Sequence, residues 1–168
     1  MPEGSVPAAL KIVGEAVDFE ALTAHVGVAL RRAAAAGGEV GVFGSGGARN
    51  APEGFPPGRA YDQVVSFCRM AGEAARRYGV TIAIEPLTRQ GCNTINSVAE
   101  GLRLARDVDR GEVGVLADLY HMGVDAEPWQ NILDAAPFLR HVHLPVPQVE
   151  ALRSEGRGFD HGTFLKTL

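Results

Sequence analysis

Three residues of metal-ligand type close successive apolar runs: Glu85 ends VTIAI, Asp118 ends VGVLA, and His143 ends the alternation in RHVHL. Each interval is about one β/α unit, ~31 residues in a complete barrel. Parallel strands share one direction, so residues ending consecutive strands converge on one mouth, where α/β folds place ligands. Two carboxylates with one imidazole suit an open site for Mn²⁺, Mg²⁺ or Co²⁺, with Zn²⁺ also compatible. A closed structural zinc site would prefer thiolates. Either carboxylate alone reads equally as the N-cap of a following helix; three ligand types at equivalent positions are harder to explain that way. Pro86 fixes the chain's exit after Glu85. His141 shares a strand face with His143, being two residues away, and is expected to be a core histidine. His121, three residues past Asp118, sits where it can either hydrogen-bond a substrate hydroxyl or cap a helix.

The elements that must position these residues alternate between short β-branched runs and longer helical stretches, the pattern of parallel strands joined by crossover helices. Asp18 is a good N-cap for a helix running to Gly37–Gly38, with Phe19, Leu22, Val26 and Leu30 near helical spacing. Strand EVGVFG (39–44) follows, then a Gly/Pro-rich loop (44–58) and a helix closed by Gly79 that carries Val64, Phe67, Cys68 and Ala71 on one face. Strand 80–85, helix 97–108, strand 113–118, a short helix around PWQNILDAA, strand 140–144 and the beginning of a last helix (160–168) complete the order. The strands are continuous apolar runs, so both faces should be covered, as in barrel staves or a doubly wound sheet. A complete barrel needs ~250 residues, so the 168 residues predict part of one. The expectation is α/β: a partial (β/α) TIM-type barrel of about four to five β/α units, one domain over 1–168, incomplete at both ends.

Composition narrows the function classes. A net charge of −4 without basic runs argues against nucleic acid as a partner. No apolar run reaches the ~18 residues of a membrane span, and the N-terminus lacks a signal-peptide layout, so a cytoplasmic protein is expected. Two cysteines support no disulfide framework; both are read as free thiols, Cys68 as core. The Gly-rich stretch GSGGARN (44–50) matches neither dinucleotide nor P-loop spacing and is read as a tight loop at the mouth, with Arg49 near an anionic substrate. Trp129 is assigned to packing.

The segments VFGSGGARNAPEGF (42–55), IEPLTRQGCNTINS (84–97), LADLYHM (116–122) and HVHL (141–144) together resemble the sugar phosphate isomerase/epimerase superfamily of xylose isomerase-like barrels, which includes ketose 3-epimerases, hydroxypyruvate isomerase and inosose dehydratase. The resemblance implies one divalent ion held by Glu85, Asp118 and His143, with Glu85 also catalytic as one of two glutamates exchanging a carbon-bound proton through an enediolate. It implies substrate contacts from His121 and from an arginine after the last histidine, matched by Arg153 with Arg157 behind it. The implied partner is a small sugar or sugar phosphate. The family's second glutamate, also its fourth ligand, has no counterpart here, and Gly91 stands where ketose epimerases carry another glutamate. The expectation is therefore a metal-dependent isomerase or epimerase, weak or inactive as this chain. The alternative is a non-catalytic metal-binding or self-assembling barrel fragment whose open sheet edges would pair, a homo-oligomer included. An endonuclease IV-like nuclease stands further behind, because it would need several zinc ions and a basic face.

Overall fold

The computed structural model describes residues 6–144 and 161–168. Helix α1 (Phe19–Ala35) starts where expected, with the Asp18 side chain accepting from the Ala21 N–H at 2.9 Å. Strand β1 (Val40–Phe43) leads into a single turn of helix, α2 (Gly46–Arg49), and then into α3 (Pro57–Tyr78). Pro57 occupies the first helical position, where its missing N–H costs nothing, and Gly79 closes the helix at φ 65°. Strand β2 (Thr81–Ile84) is followed by α4 (Val98–Val108), capped by Ser97 Oγ on the Glu100 N–H at 3.1 Å. Strand β3 (Val113–Asp118) passes directly into α5 (Leu119–Val124); then come α6 (Gln130–Ala135), a 3₁₀ turn (Ala136–Phe138), strand β4 (Leu139–His143) and α7 (His161–Thr167).

The four strands form one parallel sheet in the order β1-β2-β3-β4, half of a TIM-type barrel with its helices packed outside. Burial follows position: β2 and β3 are almost wholly buried, whereas β1 and β4, at the two edges, are partly open. The continuous apolar runs of the central strands thus reflect cover on both faces. Leu22, Val26 and Leu30 of α1 and Val64, Phe67, Cys68 and Ala71 of α3 lie in the core as the spacing predicts. Phe19 does not: as the first helical residue it lies beyond the packed turn and is 41% exposed. Trp129 packs edge-on to Phe164 of α7 at 5.6 Å.

The register is regular from β1 to β3 and shifts once. Val115 pairs with Leu139 but Leu116 pairs with His141, so Arg140 is an extra residue in β4 and Asp118 comes opposite His143. Without that bulge, Val142 would face Asp118. A Cβ at Gly114 would collide with the Phe138 carbonyl and the Arg140 side chain, so a glycine in β3 makes room for the shift.

Among the described residues no helix is long and apolar enough to cross a membrane. Cys68 and Cys92 are both free and buried, and burial pushes the Cys68 thiol up to about 12. The thiolate is the reactive form. Native protein at pH 8 should therefore leave both thiols unlabelled by a disulfide reagent such as DTNB, and both should react after denaturation. Rapid native labelling of Cys68 would contradict the packing of α3.

Candidate metal centre

Glu85 follows β2 directly, and its N–H still donates to the Phe43 carbonyl at 3.0 Å, so its backbone is held by the ladder although it lies past the strand. Asp118 ends β3 and His143 ends β4. The three side chains meet at the C-terminal rim: His143 Nδ1 lies 2.8 Å from Glu85 Oε1 and 3.2 Å from Asp118 Oδ2. The two carboxylates are only 13% and 12% exposed, against 37% for His143. Two nearly buried carboxylates side by side require positive charge between them or hydrogen donors around them.

Asp118 is the N-cap of α5, and its second oxygen remains free to face the rim. Its Oδ1 caps α5, accepting from Tyr120 N–H at 2.7 Å and His121 N–H at 3.1 Å, while Oδ2 turns toward His143. The short helix α5, not anticipated from the sequence, is what brings His121 back over the rim. Among the described residues, the group whose ligand atoms all lie within 4.8 Å of one another is Glu85, Asp118 and His121; His143 joins the same two carboxylates through the contacts of its Nδ1.

The donor set fits one small divalent ion. Ligands ~2.1 Å from an octahedral centre sit about 3 Å apart; the 2.8 and 3.2 Å contacts of His143 have that spacing, which is also the spacing of a hydrogen bond from its ring to each carboxylate. Oxygen and imidazole donors without a thiolate suit Mg²⁺, Mn²⁺ or Co²⁺ chemistry. The two histidines differ in their other bonds. His121 Nδ1 accepts from the Thr88 N–H at 3.2 Å, so a neutral ring carries its hydrogen on Nε2. A ligating histidine ordinarily donates through its second nitrogen instead.

His141 is not the core histidine expected. It is exposed, because β4 is an edge strand, and its ring stands edge-on to His143 at 5.2 Å. Arg49 also departs from expectation: it is fully buried and bonded to backbone carbonyls, so it does not face an anionic substrate. Arg153 and Arg157, and the loop after Leu144, lie outside the described residues.

The rim loops are stitched to one another. Asn93 accepts from Ala51 N–H at 2.8 Å and donates to Ala51 O at 2.9 Å, while its own N–H reaches Asn50 Oδ1 at 2.8 Å. On the other side, Arg89 N–H donates to Asp125 Oδ2 at 3.1 Å. The loop after β2 is thereby tied to both neighbours. Gly114 and Gly44, which leave space for the bulge and for the Glu85 carboxylate, were not singled out in the sequence; a glycine within or just after a strand was the available signal.

A family model described as xylose isomerase-like TIM barrel matches residues 15–168. A ketose 3-epimerase of Arthrobacter globiformis is 29% identical over 97 residues, 57% of this chain and 33% of that protein. A D-psicose 3-epimerase of Agrobacterium fabrum is 33% identical over 70 residues, 41% of this chain and 24% of its own length. In structure, the D-allulose 3-epimerase of Methylomonas sp., solved in complex with D-allulose, superposes with a TM-score of 0.83 at 21% identity, covering 96% of this chain and 56% of that one. The chain thus spans about half of that structure and matches a third or less of the two curated relatives.

The bulge makes a prediction about the sheet. Gly114→Ala should cost about 1–3 kcal/mol in urea unfolding, the range for overpacking a tight site, because the clash is partly with backbone. A variant as stable as the parent would show that β4 does not depend on this gap.

Proposed function

The chain belongs to the xylose isomerase-like TIM barrel family, and on that premise we propose that its rim site is the metal centre of a sugar epimerase or isomerase acting on an α-hydroxy ketone. The observation that carries this reading is the convergence of Glu85, Asp118 and His143 within hydrogen-bond distance at the ends of three neighbouring strands. The curated relatives named as ketose epimerases support the substrate class.

In this reading Glu85, Asp118 and His143 hold the ion. When bound, a divalent cation supplies a Lewis acid that polarises the ketone and spreads the charge left when a neighbouring proton departs. Glu85 exchanges that carbon-bound proton through its carboxylate, which low exposure shields from bulk water. His121 is assigned to the substrate rather than to the ion: the Thr88 N–H on Nδ1 leaves Nε2–H as a donor for a sugar oxygen. Gly91 presents no side chain to the substrate, so polar recognition at that position is absent from this chain's own set.

The two histidine assignments separate in a titration with Mn²⁺. His143→Ala should weaken binding by at least about 100-fold, the upper end of what outer partners contribute, whereas His121→Ala should change it by only a few-fold. Equal losses would put His121 in the ligand set instead. For the chemistry, D-allulose incubated in D₂O with Mn²⁺ should gain deuterium beside the ketone, and Glu85→Gln should abolish the exchange. Mn²⁺ binding without exchange would favour a metal-binding barrel module instead. Failure to bind any divalent ion would sink both readings.

A further inference from the structure

We propose that the turn 44–49 is the positioning device for Glu85, with Arg49 clamping its backbone from inside the fold and Gly44 leaving the space that its carboxylate occupies. The proposal rests on Glu85 being a ligand and proton carrier at the rim.

Arg49 has no exposed surface, and among the described residues no carboxylate pairs with it. Burying a guanidinium without a counter-ion is expensive unless its hydrogens are used. Here they are: Nη1 donates to Phe43 O at 3.2 Å, Nη2 to Glu85 O at 2.7 Å and to Ile95 O at 3.5 Å, and Nε to Cys92 Sγ at 3.4 Å. The β1–β2 pairing ends at Phe43 and Ile84, and the guanidinium takes over one residue further on, joining the ends of both strands to the following loop. The planar fork spans these acceptors as a single ammonium could not.

Gly44 acts on the other half of the residue. A Cβ there would fall on Glu85 Oε2, and one at Gly46 would come 2.9 Å from Leu87 Cδ1 and 3.1 Å from Gly91 O, so the turn lies flush against the segment after β2. It is also blocked from retreating. The Val6 N–H donates to Ser45 Oγ at 3.0 Å, Lys11 Nζ to Gly47 O at 2.6 Å, and the Ile12 N–H to Ala48 O at 2.9 Å. Ser45 itself is left-handed at φ 42°, a conformation that a serine adopts at a cost. A methyl at position 44 is therefore relieved by moving the Glu85 carboxylate, which has rotatable bonds, and not by moving the turn.

The test uses the full chain with Gly44→Ala, Arg49→Met and Arg49→Lys, and Gly58→Ala as control, since a Cβ at Gly58 meets nothing within 4 Å. Mn²⁺ affinity by calorimetry, melting temperature and a crystal structure of Gly44→Ala are measured. The expected result is a loss of the Glu85–His143 contact in Gly44→Ala and a Mn²⁺ affinity about 10- to 100-fold weaker, the range for partners that orient a ligand. Arg49→Met should weaken binding similarly, Arg49→Lys should recover part of it, and Gly58→Ala should match the parent. A role confined to folding would lower the melting temperature and leave the affinity of the folded variants unchanged, which would overturn the proposal. So would a Glu85 carboxylate still in contact with His143 in Gly44→Ala. If Arg49→Met does not fold, Gly44→Ala decides. If the parent binds no Mn²⁺, the metal reading falls, while the crystallographic position of Glu85 still judges the positioning claim.

Discussion

The register of the parallel ladder is the constraint on which everything at the rim depends. Side chains alternate between faces with a period of two, so a slip of one residue anywhere would turn a ligand-type residue away from its neighbours. The ladder holds Glu85 against the end of β1 through the bond to Phe43 O, and the pairing of Asp118 with His143 requires the single extra residue at Arg140. The bulge is therefore part of the site's construction: it exchanges Val142 for His143 opposite Asp118 and places His141 on the same face.

The sheet and its helices were legible because their signals are local. Asp18, Ser97 and Gly79 mark helix ends by chemistry that operates within one turn, and β2 and β3 announce two-sided cover by unbroken apolar runs. The convergence of Glu85, Asp118 and His143 was legible for a related reason: strand-end position is a sequence property once direction is shared. Less of the remainder could be read. The helices α2 and α5 are too short for periodicity to declare them, and α2 begins with two glycines. A cation in a glycine-rich loop at the mouth reads as a partner for an anionic substrate; that the hydrogens of Arg49 meet carbonyls from three separate segments is decided only by packing. His141 lies outside the core because β4 is an edge strand of the described sheet, so a position that a central strand would cover is exposed.

Asp118 divides its two carboxylate oxygens between a helix cap and the rim cluster. One oxygen completes the first turn of α5 and the other faces Glu85 and His143, so the helix that presents His121 is anchored on the same carboxylate that helps to form the charged cluster. Orientation and electrostatics are thereby built from a single residue, and rotation of that carboxylate would disturb both.

The mutual bonds between Asn50, Ala51 and Asn93, together with that from Arg89 to Asp125, leave the loop after β2 little to rearrange. A backbone tied at both flanks samples fewer conformations, so a molecule docking on that side would cost the loop less ordering entropy than an untied segment would.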